Sequence, residues 1–300
     1  MKWTPGTEND DVIDQRGDSG GGGGGGGGFG AVHLTGGGLA AVIVVVVAAR
    51  LFGVDVSGLI GHHGSASSPG SMGHRDDRPH PPAGPDPDKP LVDLVKFVMK
   101  DVQGAFEARF KAAGKPYRHA KLVLFTDVVD TACGRSSKAI GPFYCPPDEH
   151  AYIDLSFYRE LRQRFGAPGD FAQAYVLAHE IGHHLQKLLG VEARARALGL
   201  HHGRNDASVR TELQADCFAG IWGHDARGKG LLEAGDVEQA ITAATAIGDD
   251  RLQKQAGREV HPETFTHGTS AQRVRWFRRG FDTGQFEACD TFAARDSRDL

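Results

Sequence analysis

Apolar residues first recur at helical spacing between Leu91 and Ala113, where Leu91, Leu94, Val95, Val98, Val102, Phe106 and Phe110 share one face and Gly114 ends the run. That spacing predicts a helix. Ala120–Phe125 reads as a strand, and Ala151–Leu155 alternates as a second, shorter one. Residues 127–150 between them carry Gly134, Gly141, Pro142, Pro146 and Pro147, the composition of a loop-rich region. Ser156 is placed to cap a helix reaching Phe165. From Asp170 onward the pattern is mostly helical, with breaks expected near Gly190, Gly199–Asn205, Gly223–Gly230 and Gly257–Gly268. Mixed α and β elements followed by helices predict an α+β fold, mainly helical with a small β-sheet.

The chain before Leu91 reads differently. Residues 1–28 are acidic and hold a run of nine glycines, too little apolar surface to fold, so a disordered tail is expected. Residues 29–54 follow, with no charged residue between Phe29 and Ala49. That length of apolar chain matches the roughly 20 residues a bilayer-spanning helix needs, and it predicts one transmembrane anchor and a single-pass membrane protein. A buried β-branched strand is the alternative. The stretch starts too late and lacks the basic flank of a cleavable signal. Residues 55–90 read as a flexible linker whose His62, His63, His74 and His80 are solvated. This leaves residues 91–290 as one folded domain and residues 291–300 as a C-terminal tail.

Charge and cysteines narrow the setting. A formal charge of −4 argues against nucleic acid as the main partner. None of the four cysteines forms a CxxC pair, which disfavours a cysteine-based zinc site. Cys133 with Cys145, across a Gly/Pro loop, and Cys217 with Cys289 are candidate bridges suited to an extracytoplasmic domain; four buried thiols would suit the cytoplasm. The basic residues flanking the apolar stretch do not favour export, and the cysteines decide for it.

The chemistry concentrates in Ala174–Gln186, where His179-Glu180-Ile181-Gly182-His183 forms HExxH inside a helical pattern. Four residues make slightly more than one turn, so both imidazoles project from one face toward a single ion. Zinc suits such a pair, with three protein ligands and a water. Glu180 lies beside that face and can take the water's proton, as the catalytic base of hydrolysis. From the chain's own composition HExxH is expected by chance only roughly 0.03 times, so a surface helix carrying these residues by accident is the weaker reading. Glu212 is the best third ligand, because its helix (Leu213, Ala215, Phe218, Ala219, Ile221) is largely apolar and a carboxylate there needs a partner. Asp216, one turn later, is placed to accept the spare N–H of a ligand histidine. His184 is expected behind the ligands or in a structural role. His201, His202 and His224 are rival third ligands. A salt bridge is the other fate for Glu212. Gly182 is a site for close backbone approach. His267 precedes a helix opened by a Thr269/Gln272 capping box, where it either donates to an oxyanion or serves its loop; Arg273 is placed to pair with a site carboxylate. The strand Ala151–Leu155 is either an edge for an extended peptide or an internal strand.

Cys133-Gly134, Gly141–Pro146, Tyr152–Phe157, Ala174–Gln186, Glu212–Gly220 and His267–Arg273, together with Met1-Lys2-Trp3, resemble the bacterial family of predicted neutral zinc metallopeptidases with a glycine-rich N terminus and a membrane anchor. The resemblance covers nearly the whole chain. It implies a zincin-like, gluzincin-type fold with one Zn2+ per chain, a glutamate on a later helix as third ligand, and a peptide or protein as substrate. It supports Glu212 as ligand and Asp216 as its companion. A non-catalytic zinc-stabilised scaffold at the membrane and an amidase acting on cell-wall peptides are the alternatives; the intact Glu180 weighs against the first.

Overall fold

The computed structural model describes residues 1–17, 85–197, 204–294 and 300. In chain order the elements are β1 (Val12–Asp14), α1 (Lys89–Ala112), β2 (Lys121–Phe125), β3 (Val128–Thr131), β4 (Gly134–Ser137), β5 (Phe143–Cys145) and β6 (His150–Asp154). Helices follow: α2 (Ser156–Gln163), α3 (Asp170–Leu189), α4 (Val191–Ala197), α5 (Arg204–Gly228), α6 (Asp236–Ala246), α7 (Asp249–Gln255) and α8 (Ser270–Thr283). The expected α+β character holds: mainly helices, with a small sheet.

The sheet runs in the order β1-β2-β6-β5, with β1, β2 and β6 parallel and β5 antiparallel to β6. Alternation along the strands sorts its two faces. Leu122, Leu124, Ala151 and Ile153 join the main helical core, whereas Val123, Phe125 and Tyr152 form a second cluster with Val129 and Cys145 beneath the β3–β4 hairpin. Covered on both faces, β2 reads as a near-continuous apolar run (Leu122–Phe125), and β6 keeps only Ala151–Ile153 between His150 and Asp154. The hairpin and β5 lie in the region expected to be loop; strands of three and four residues among Gly and Pro carry too little pattern to be seen. Because β5 closes the sheet, β6 is an internal strand and not the peptide-binding edge.

Residues 1–17 correct the expectation of a disordered tail. Trp3 packs on Phe97 and donates its Nε1 to Asp170 at 2.9 Å; the Leu122 amide donates to the Asp11 carbonyl at 2.7 Å. Arg16 grips Asp14 and Asp86, each at 2.7 Å, tying residue 16 to the chain just before α1. The segment is short and polar, and it is held by partners 70 to 235 residues further along the chain. It also corrects the single-pass topology. One crossing by residues 29–54 would put β1 on the opposite side of the membrane from β2, its partner in the sheet. The anchor itself lies outside the described residues; no helix among those is long and apolar enough to cross a membrane. The C-terminal tail is corrected as well, since Thr291, Phe292 and Leu300 are buried and Arg210 donates to the Thr291 and Ala294 carbonyls.

Two disulfides form, Cys133–Cys145 and Cys217–Cys289. The first ties the hairpin turn to β5, and the second ties α5 to the short turn after α8. The α5 helix runs through Gly223 without the expected break, because Gly220 and Gly223 serve packing there instead. Where α5 meets α8, a Cβ on Gly280 would lie 1.9 Å from the Cys217 carbonyl oxygen, and one on Gly220 would lie 2.1 Å from that of Phe277. Only bare backbone permits this approach. The capping box forms as expected: Thr269 Oγ1 accepts the Gln272 amide at 3.1 Å, and the Thr269 amide donates to Gln272 Oε1 at 2.9 Å.

Gly280→Ala is expected to destabilise the fold by about 3 kcal/mol, since backbone atoms cannot move aside as a side chain would. Denaturant unfolding of the purified variant beside the wild type measures it.

Candidate metal centre

The α3 helix begins at Asp170, whose carboxylate suits the positive end of the helix, and stops at Gly190 in a left-handed conformation. One turn apart on it, His179 and His183 bring their Nε2 atoms to 3.2 Å of each other. Glu212 of α5 completes the group, with Oε2 3.2 Å from His179 Nε2 and Oε1 3.5 Å from His183 Nε2. Ligand atoms about 2.0–2.1 Å from a tetrahedral ion stand about 3.4 Å apart, so these separations fit a zinc ion. Two imidazoles and one carboxylate are also a catalytic-type donor set that keeps a fourth position open. Gly182 lets the helices close to this distance: a Cβ there would lie 3.0 Å from the Ala215 Cα.

Asp216, fully buried one turn after Glu212, accepts from His179 Nδ1 at 2.9 Å, Tyr175 Oη at 2.5 Å, Arg273 Nε at 2.8 Å and Arg273 Nη2 at 2.9 Å. Burial pushes its carboxyl upward, but Arg273 and His179 outweigh burial and hold it below the ordinary carboxylate range. Burial likewise works against charge on His179; the Asp216 and Glu212 carboxylates prevail and hold its pKa up at about 10. A metal ion taken by this ring therefore displaces a proton. Glu212 is half-buried, and although desolvation opposes its charge, His183, His267 and His179 keep its carboxyl well below the usual range. His183 has a different outer partner, Gln186 Oε1, at 2.9 Å from its Nδ1.

Glu180 stands beside the triad and outside it. Burial raises its carboxyl above the ordinary value, against the pull of His179 and His183, and its oxygens have no hydrogen-bond partner among the described residues. His267 lies near enough to Glu212 for their charges to interact. Asp249 frames it: one oxygen accepts the amides of Thr266, His267 and Gly268 at 2.8, 2.6 and 3.1 Å, and the other faces His267 Nδ1 at 3.2 Å. Burial opposes charge on His267, and Glu212 and Asp249 overcome it, raising its pKa.

Of the two places expected for His184, behind the ligands or in a structural role, the structure shows the second. The ring turns the other way, with Nδ1 2.9 Å from Tyr144 Oη and Nε2 2.6 Å from the Arg118 carbonyl, and joins α3 to β5. His224 pairs with the Phe281 carbonyl at 2.8 Å and is no ligand; His201 and His202 lie outside the described residues. Tyr175 and Gln186 sit at helical offsets from the two imidazoles, so spacing alone would have found them. Gln214 and Asp249 carry no comparable signal, since their roles come from tertiary packing.

A family model described as "Putative neutral zinc metallopeptidase" matches residues 1–292. The chain is 45% identical over 297 residues to the uncharacterized protein YpfJ of Escherichia coli (strain K12), covering 97% of this chain and 99% of that relative. It is 42% identical over 219 residues to the uncharacterized protein Rv2575 of Mycobacterium tuberculosis (strain ATCC 25618 / H37Rv), covering 68% of this chain and 74% of that relative. No solved structure matches it.

Metal analysis is expected to find about one zinc per wild-type chain and little in His183→Ala or Glu212→Ala. Asp216→Ala keeps the triad but strands the Arg273 charge; zinc affinity should fall about 10–100-fold and stability by about 3–5 kcal/mol, read by chelator competition and unfolding.

The Asp249–His267 pair makes a pH prediction. Asp249 is held below its ordinary 3.8, so its contribution to stability is present above that value and is lost as pH falls through the folded pKa. His267 is held above its ordinary 6.5, so its contribution is full below that value and is lost as pH rises through the folded pKa. The pair stabilises most between those two values, and unfolding across pH should flatten in Asp249→Asn.

Proposed function

The chain belongs to the family described as "Putative neutral zinc metallopeptidase", and from that premise we propose that it hydrolyses peptide bonds with Glu180 as general base. The observation that carries this reading is Glu180 itself, buried beside a three-ligand group and with no hydrogen-bond partner among the described residues. A purely structural zinc site uses four protein ligands and needs no such base.

His179, His183 and Glu212 would hold the ion. Zinc in that place lowers the pKa of a water toward about 7 and polarises the scissile carbonyl. Glu180 takes the attacking water's proton and passes it to the leaving amine; its raised carboxyl pKa brings it closer to both tasks. His267, whose protonated form Glu212 and Asp249 favour and whose Nδ1 faces Asp249, offers Nε2–H to the carbonyl oxygen as negative charge develops there. An extended peptide can add to the free edge of β5, which Tyr144 and His184 tie to α3.

The disulfides support an oxidising, extracytoplasmic setting. Contact with a membrane through residues 29–54 belongs to this reading.

Casein and peptidoglycan stem peptides are suitable first substrates. Glu180→Gln is expected to lower cleavage at least about 100-fold while one zinc stays bound. Cleavage at the wild-type rate in that variant removes Glu180 from the mechanism, and cleavage of stem peptides alone moves the reading to a wall amidase.

A further inference from the structure

HExxH places His183 but does not say which of its nitrogens carries the proton. A metal ligand through Nε2 must be protonated at Nδ1, and a ring in the other tautomer binds no ion there. For His179 the carboxylate of Asp216 settles the matter, because it only accepts. His183 faces a side-chain amide, which can present either oxygen or nitrogen.

The amide's orientation is decided further away. Gln214 Nε2 donates to the Cys289 carbonyl at 3.0 Å, and a backbone carbonyl only accepts. Gln214 therefore turns its Oε1 toward Gln186, whose Nε2 donates to it at 3.2 Å. The same Gln186 nitrogen donates to the Thr211 carbonyl at 2.6 Å, a second fixed acceptor. Both requirements put Gln186 Oε1 on the remaining side, 2.9 Å from His183 Nδ1. An oxygen there needs an N–H, so the ring carries a proton on Nδ1 and leaves Nε2, which faces Glu212 and His179, as the atom a metal can take.

We infer that Gln186 and Gln214 are positioning residues of the metal centre, an amide relay that transmits the polarity of the Thr211 and Cys289 carbonyls to His183 and fixes its metal-binding tautomer. Both amides are buried, at 5% exposure, so water does not compete for their hydrogen bonds. The relay ends at Cys289, which the Cys217 disulfide holds beside α5, one residue from Asp216. The outer partners of both imidazoles thus converge on one covalent tie.

The inference rests on zinc binding at His183. The test uses full-length chain and zinc alone. Gln186→Met and Gln214→Met keep side-chain length and packing while removing the amide. Zinc affinity by chelator competition should fall about 10–100-fold in Gln186→Met and several-fold in Gln214→Met, and the double variant should be no weaker than Gln186→Met. In the metal-free, histidine-15N-labelled protein, His183 should show its proton on Nδ1 in the wild type and shift toward Nε2 in Gln186→Met; a merely structural loss would leave the tautomer unmoved. Three results overturn the relay: wild-type affinity in either variant, effects that add in full in the double variant, or a His183 proton on Nε2 in the wild type. Failure of the wild type to bind zinc would instead sink the metallopeptidase reading before any variant is made.

Discussion

A single buried carboxylate organises this molecule. Asp216 has no contact with water, and a charge so placed is tolerable only when matched and fully hydrogen-bonded. It receives four donor groups from two other helices: Tyr175 and His179 of α3 and the fork of Arg273 from α8. Each donor constrains where its own helix can sit. The packing of α3, α5 and α8, and with it the direction of the His179 ring, follows from satisfying one side chain.

Small residues make that arrangement reachable. At the α3–α5 contact Gly182 meets Ala215, and at the α5–α8 contact Gly220 and Gly280 each lie against a backbone carbonyl. Larger side chains would hold the helices at ordinary packing distance, beyond the span over which a glutamate and two imidazoles can share an ion. Glycine within a helix weakens it by up to about 1 kcal/mol, and the chain accepts this wherever function needs proximity.

The legible parts of the sequence were those where one short segment carries the whole signal. Local helical geometry fully determines HExxH, and the apolar periodicity of α1 and α3 decided their extent within a few residues. Glu212 and Asp216 were readable because a carboxylate on an apolar helix demands an explanation. What stayed hidden depends on distant pairing. β1 is a strand only because β2 lies beside it, and β5 only because of β6. His184 was left between two roles because proximity in sequence to the ligands says nothing about which side of the helix it faces. Gln214 and Asp249 are ordinary residues until α3, the Cys289 turn and the His267 loop are brought against them.

The outer frame of the metal centre is also spread along the chain, and that has a consequence for how the protein comes into being. Arg273 lies 94 residues after His179, and Cys289 lies 75 after Gln214. At typical synthesis speeds of about 5–20 residues per second, a growing chain carries the HExxH helix for roughly 5–20 s before Arg273 exists. During that interval Asp216 has no guanidinium to neutralise it and the amide chain has no terminal carbonyl. Assembly of the centre's outer frame therefore waits for the Cys289 turn, and a chain cut short before that turn carries the HExxH motif without the carbonyl and guanidinium that frame it.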